Sequence, residues 1–371
     1  MRRVLIYRLG SLGDTVIALP CFHLIARMFP AAERALLTNI PINARAPAAA
    51  AVLGPASDDP AALVHRYMSY PVATRSPIEL GKLAWAIRRY GPDVLVYLAA
   101  PRGEAAVRRD ARFFRLCGIR QIHGLPFGDL AIHLLDPRSG LLEAESRRLA
   151  RTLASLGDVR LDDPASWNLR LTSQEKSAAA VSTDSLGGLP YLVCAPGCKA
   201  QANDWEDSNW AALFEKLSSR YTGKFALVLT GAESERSRND SLLAAWQGPG
   251  LNLCGNTPRE AAALIKNAAL YLGPDSGPMH IAAAVGTPCV SIFSSRLGLG
   301  IWFPHGSQPA HPSQSGDRTR PPRHRVLYHR TDCSPCGLET CILERKRCIL
   351  SITPEDAFEA AGSLLEASQR D

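Results

Sequence analysis

"GPDSGPMHIAAAVG", residues 273–286, has the form of a buried helix with a crowded entrance. Asp275 and Ser276 are good N-cap residues, whose side chains accept from backbone amides that a helix start leaves unpaired. Pro278 suits the first turn, where its missing N–H costs nothing. Ile281–Val285 is apolar, and Gly286 is a natural stop. The polar residues Asp275, Ser276 and His280 therefore sit at the mouth of a helix whose body belongs in a core.

The flanks fix the architecture. "LYLG" (270–273) precedes this helix and "PCVSIF" (288–293) follows it, giving strand, helix, strand. The same alternation runs along the chain in two blocks. The first holds strands at 3–9, 35–39 and 93–99 and helices at 15–29, 76–91, 103–118 and 143–156, the last basic on one face. Pro20 is expected to interrupt the helix 15–29. The second holds strands at 191–197, 224–231, 270–273 and 288–293 and helices at 209–221, 258–268 and 354–368. Such alternation predicts an α/β fold of two domains with parallel sheets. The polar stretch 172–190 is the expected boundary, and 304–325, rich in Pro, Ser, His and Arg, reads as a long exposed loop.

A chain of 371 residues suffices for two ordinary domains. No apolar run is long enough to span a bilayer. The opening "MRRVLIYRLG" is broken by Arg8 and a Gly-rich loop, so it reads as strand and turn rather than signal peptide, and the expected location is cytoplasmic. A formal charge of +7 admits phosphorylated substrates or an anionic membrane surface as partners. Zinc-finger and RNA-recognition signatures are absent, which argues against nucleic acid.

Four further stretches carry chemistry. In "RLGSLGDTV" (8–16), Gly10 and Gly13 let the backbone turn sharply after the first strand, and Ser11 and Asp14 stand at the next helix start, where an anion can bind. Asp14 is equally suited to be a cap. Neither the dinucleotide fingerprint nor the P-loop pattern is present. "APGCKAQANDWEDSNW" (195–210) places Lys199 just beyond a strand, and "TGAESERS" (230–237) offers Glu233 or Glu235 to a ribose hydroxyl. "CSPCGLETCILERKRC" (333–348) spaces Cys333, Cys336, Cys341 and Cys348 so that four thiolates could hold a structural zinc or iron, with free structural thiols or a disulfide as alternatives.

Taken together, "RLGSLGDTVIALP", "APGCKAQANDW", "GPDSGPMHIAAAVGTPCVSIF" and "CSPCGLETC…C" with "ITPEDAF" resemble the family 9 glycosyltransferases, the bacterial heptosyltransferase family. The resemblance implies the GT-B architecture, two Rossmann-like domains facing a cleft: an acceptor domain at 1–172, a nucleotide-sugar domain at 173–353, and a helix at 354–371 crossing back to the first. It implies inverting sugar transfer without an essential divalent ion or other catalytic cofactor. Heptose from ADP-heptose is the default donor and a cell-envelope glycolipid or related glycan the acceptor. The protein would work in the cytoplasm, peripherally at the inner face of the membrane. By the family pattern Asp14 would be the general base on the acceptor-side loop of Gly10, Ser11 and Gly13. Asp275 would hold sugar hydroxyls, Ser276, Gly277 and His280 would surround the diphosphate, and Glu235 would take the ribose.

One position departs from that pattern. Where the family has a Lys two residues before Trp205, this chain has Asn203. Lys199 is the nearest replacement cation, with Arg296 as a second candidate. The alternatives to a transferase are another GT-B enzyme, such as a nucleotide-sugar epimerase, and a non-catalytic nucleotide-sugar-binding protein.

Overall fold

The computed structural model describes residues 2–40, 48–71, 74, 76–309 and 323–367. The chain divides into two compact units: residues 1–136 with 142–170, and residues 137–141 with 171–371.

The first unit is built on a parallel sheet of β1 (Arg3–Tyr7), β2 (Glu33–Ile40), β3 (Arg66–Pro71), β4 (Val94–Tyr97) and β5 (Gln121–His123), in the order β3-β2-β1-β4-β5. Its helices are α1 (Leu12–Ile17), α2 (Leu19–Met28), α3 (Ala48–Leu53), α4 (Pro77–Tyr90), α5 (Glu104–Leu116) and α6 (Glu145–Thr152). The expected helix 15–29 is indeed interrupted. α1 ends at Ile17, Ala18 intervenes, and Pro20 takes an early position in α2, where no amide is missed. β4 is buried throughout and β1 from Val4 to Tyr7, as strands covered on both faces must be. The region 40–75 contains α3 and β3; residues 41–47, 72, 73 and 75 lie outside the described residues.

Two short strands, β6 (Leu135–Asp136) and β7 (Leu141–Leu142), follow in the chain. The second unit has a sheet of β8 (Tyr191–Cys194), β9 (Ala226–Leu229), β10 (Gly250–Asn252), β11 (Leu270–Pro274), β12 (Cys289–Phe293), β13 (Gln308–Pro309) and β14 (His324–Tyr328). Their order is β10-β9-β8-β11-β12-β14-β13, and all pairings are parallel. The helices are α7 (Ser173–Thr183), α8 (Asp207–Tyr221), α9 (Arg236–Leu243), α10 (Pro258–Lys266), α11 (Gly277–Val285), α12 (Arg347–Leu350) and α13 (Pro354–Ala367).

The stretch 172–190, expected to hold the boundary, is mostly α7, and the two units divide just before it, between residues 170 and 171. Thr172 Oγ1 accepts from the Glu175 amide while Glu175 returns a bond to the Thr172 amide, a capping box written in the sequence as "TSQE". Arg259 of α10 then grips Glu175 with two bonds and fastens α7 to the second unit. The expected loop 304–325 ends in β14, which pairs with β12; residues 310–322 lie outside the described residues. α13 belongs to the second unit. Its Ala357, Ala361, Leu364 and Leu365 are buried in one cluster with Trp205, Trp210 and Phe214 of the second unit. Residue 368, the expected end of this helix, is outside the described residues.

Candidate functional site

In an open parallel sheet, ligands bind beyond the carboxyl ends of the strands, where the strand order reverses direction. The first unit reverses between β1 and β4, and the second between β8 and β11. The loops that leave these four strands hold most of the candidate residues.

In the first unit the loop after β1 carries Arg8, Gly10, Ser11 and Asp14. Arg8 is 1% exposed and spans the reversal point. Its Nη1 donates to the Leu98 carbonyl beyond β4, and its Nη2 donates to the Asp14 carbonyl, both at 2.5 Å. Nη2 also lies 3.4 Å from Asp14 Oδ1. The other oxygen, Oδ2, accepts from the Ser11 amide at 2.7 Å and the Ser11 hydroxyl at 2.8 Å. Gly10 has φ +128°, and a Cβ there would run into the Asp14 carboxyl group. The glycine is therefore required twice, for its backbone conformation and for the space Asp14 fills. This loop thereby commits the Ser11 amide to Asp14. It is a mount for one carboxylate.

Behind Arg8 lies a buried network that sequence reasoning missed. Glu145 and Arg148, on the helix expected to be simply basic on one face, are both fully buried. Arg148 binds Glu145 with Nε at 2.7 Å and Nη2 at 2.8 Å. Glu145 Oε1 lies 3.8 Å from Arg8 Nη1. Two guanidinium groups thus face two carboxylates, Asp14 and Glu145. His133 lies 3.5 Å from Glu145, and burial holds it below the usual histidine range against the pull of that carboxylate. The available signal was a Glu–Arg pair three residues apart, which places both on one helix face.

In the second unit Asn203 spans the reversal point. It is 5% exposed and lies in the loop after β8. Its Nδ2 donates to the Asp275 carbonyl at 3.2 Å and approaches Asp275 Oδ2 at 3.4 Å. Its Oδ1 accepts from Ser294 Oγ at 2.5 Å, just past β12. The residue that departs from the family pattern therefore ties three strand ends together. Burial pushes the Asp275 carboxyl up to about 7, opposed first by the charge of Arg296 and then by the bond from Asn203. Arg296, whose Nε donates to the Leu338 carbonyl, is the cation acting on Asp275. Lys199 is exposed, and among the described residues it has no hydrogen bond or ion pair. The neighbouring acid Asp204 is engaged by Arg238 and Lys346.

Ser276 is the N-cap of α11, but its side chain caps no amide; its buried Oγ lies at the helix entrance. Gly277 opens the helix, and Gly286 closes it in the left-handed conformation. His280, one turn in, is 6% exposed and meets Trp302 edge-on with ring centroids 6.5 Å apart. Glu235 lies over Gly197 and Gly231, the glycines that follow β8 and β9. A Cβ at either would collide with its carboxylate. The Ala232 amide donates to Glu235 Oε2 at 2.7 Å. Glu233, the rival acid, is instead paired with Arg236 at 2.6 Å. The two glycine-ended strands and Glu235 thus form one cradle.

The four cysteines of 333–348 are free thiols. The structure does not gather them into a ligand set: among the described residues no three His, Cys, Asp or Glu side chains stand where they could share a metal ion. Cys341 instead accepts from the Lys346 amide, and its own amide donates to Gln201, fastening this loop to the one that carries Asn203.

Residues 143–297 match glycosyltransferase family 9 (heptosyltransferase). Over those residues the chain is similar to the family 9 heptosyltransferases. A lipopolysaccharide heptosyltransferase 3 of Escherichia coli is 32% identical over 145 residues, covering 38% of this chain and 39% of that protein. The match therefore spans well under half of the relative. The likeness of folds runs the full length. A family 9 glycosyl transferase from Veillonella parvula has a TM-score of 0.67 at 14% identity, covering 99% of this chain and 98% of that one. The ADP-heptose lps heptosyltransferase II of E. coli has a TM-score of 0.61 at 20% identity, covering 100% of both chains. The heptosyltransferase-like chain thus has the α/β, GT-B fold of these proteins, with a parallel sheet in each unit.

Proposed function

We propose that this chain is an inverting, metal-independent glycosyltransferase. It moves a sugar, by default heptose from ADP-heptose, onto a cell-envelope glycolipid or related glycan. The observation that carries the reading is the mounting of Asp14. One carboxylate oxygen is occupied by Ser11 and the other faces Arg8 with acceptor capacity to spare. In this reading an acceptor hydroxyl donates to Asp14 Oδ1, the general base. Its oxygen attacks the anomeric carbon from the face opposite the nucleotide. The new C–O bond forms as the bond to the diphosphate breaks, the electron pair leaves with the diphosphate, and the proton passes to Asp14.

The leaving diphosphate gains charge in that step. The N-terminal amides of α11 and the Ser276 hydroxyl are donors at a positive helix end, worth about 0.3–2 kcal/mol through the helix dipole. Glu235 is suited to the ribose hydroxyls and Asp275 to sugar hydroxyls. Arg296 supplies the cation that the family pattern places at position 203. The reading is supported by the family match and by a mount at each strand-order reversal.

The test is a donor assay on the purified chain. ADP-heptose should be consumed only when a lipopolysaccharide-type acceptor is present, with sugar appearing on the acceptor. Conversion of donor without acceptor would identify an epimerase instead. ADP-heptose that raises the melting temperature while no acceptor tried is modified would favour a binding protein.

A further inference from the structure

We propose that Tyr271 is a positioning residue for the donor site: its buried hydroxyl draws Ser276 away from capping α11 and so leaves the first amides of that helix open to a diphosphate. A serine at the N-cap ordinarily accepts from the amide two or three residues on. At α11 the residue two on is Pro278, which has no amide hydrogen, so the bond would fall on Met279. Ser276 makes no such bond, and its Oγ is buried without a hydrogen-bond partner among the described residues. A residue so well suited to its position leaves its task undone for a reason.

The reason lies in the strand before it. Tyr271 and Gly273 share a face of β11, since side chains alternate along a strand. The Tyr271 ring runs toward the carboxyl end of the strand, and a Cβ at Gly273 would collide with its hydroxyl. The glycine therefore makes the room that lets this hydroxyl reach the helix entrance. Tyr271 is 0% exposed, and its hydroxyl likewise has no formed hydrogen bond. Three groups stand near enough to act on it: the thiols of Cys194 and Cys289 and the hydroxyl of Ser276. Burial pushes both thiols up, so they stay neutral, and sulfur is a weak acceptor. A buried O–H is costly to leave unpaired, and of these three groups Ser276 Oγ is the best acceptor. Turned toward Tyr271, that oxygen does not reach the Met279 amide. Helix-start amides held open in this way are donors for a phosphate. That use rests on the transferase reading; the competition between Tyr271 and the cap does not.

The experiment reads the Met279 amide directly. The chain has four methionines, so isotope-labelled methionine makes this amide readable on its own by NMR. Tyr271→Phe keeps the ring and removes the competing hydroxyl. It should free Ser276 to cap α11, slow hydrogen exchange at Met279 about 3- to 10-fold, and weaken the binding of ADP, measured by calorimetry, by about the same factor. In a Ser276→Ala background, where no cap can form, adding Tyr271→Phe should change neither. Melting temperatures at or above the parent's are the folding control, because Tyr271→Phe removes only a hydroxyl that makes no bond in the fold. Unchanged exchange at Met279 in Tyr271→Phe overturns the proposal, as does a change of equal size without Ser276. Slower exchange with parental ADP affinity overturns the use of the open amides by a diphosphate. Slower exchange in a chain that binds no ADP in either form leaves the competition standing and overturns the nucleotide reading of the site.

Discussion

The two units solve one problem with opposite chemistry. Each has a sheet whose strand order reverses, and each reversal point is bridged by a single buried polar side chain. In the first unit the bridge is the charged Arg8, backed by Glu145 and Arg148. In the second it is the neutral Asn203, with Ser294 on its carbonyl oxygen. A buried cation needs carboxylates around it, and the first unit provides two. A buried amide needs only hydrogen bonds, so Asp275 has no buried cation beside it and its carboxyl is pushed up to about 7. The difference teaches that one unit holds a carboxylate against a buried cation, while the other surrounds its carboxyl with neutral hydrogen-bonding groups.

The largest expected effect comes from breaking the charged bridge. Arg8→Met keeps much of the volume but leaves two carboxylates, Asp14 and Glu145, with the one guanidinium of Arg148, and two carbonyls without a donor. Breaking a buried ion network of this kind costs about 3–5 kcal/mol. Calorimetry should show the first unit melting at least 6 °C or so lower. A melting curve unchanged from the parent would mean that the network contributes no net stability.

Breaking the neutral bridge should cost less. Asn203→Ala leaves Ser294 and the Asp275 carbonyl unsatisfied, at about 1–3 kcal/mol by urea unfolding. The same site gives a pH test. Because the Asp275 carboxyl is raised in the folded state, the proton it holds stabilises the fold fully below the ordinary Asp range. That contribution is lost as pH rises through about 7. Relative to the parent, Asp275→Asn should therefore gain stability between pH 5 and pH 8. A difference that is flat with pH would remove the raised carboxyl from the account.

The smallest effect is expected from Lys199→Ala, a change at an exposed side chain that should alter stability by no more than about 0.5 kcal/mol. In donor kcat/KM it should matter less than Arg296→Ala, because Arg296 is the cation acting on Asp275. Steady-state kinetics of the two variants decide the order. A larger loss for Lys199→Ala would restore it as the replacement for the family's lysine.

Much of this was legible in the sequence because local chemistry is written locally. The strands and helices of both sheets, the break at Pro20, the stop at Gly286 and the glycine turn before Asp14 all follow from a few adjacent residues. The capping box at Thr172 was legible too, yet the polar composition of 172–190 outweighed it, and the stretch was read as a boundary with no helix in it. The bridges were not legible. Arg8 looked like a charge ending a strand, and Asn203 like a missing lysine, because their partners lie 90 and 72 residues away. The choice of Glu235 over Glu233 needed the fold as well: only there does one acid lie over Gly197 and Gly231 while the other pairs with Arg236. The cysteine spacing suggested a metal set; among the described residues no three potential ligands stand where they could share an ion.

The central claim is that the first unit exists, chemically, to present Asp14 as a base. Asp14→Asn keeps the shape and can still accept from Ser11, but it cannot take a proton from an acceptor hydroxyl. With ADP-heptose and a lipopolysaccharide-type acceptor, single-turnover transfer should fall about 10²- to 10⁴-fold while donor affinity and melting temperature stay close to the parent's. Transfer at the parental rate in a folded Asp14→Asn variant would contradict the account.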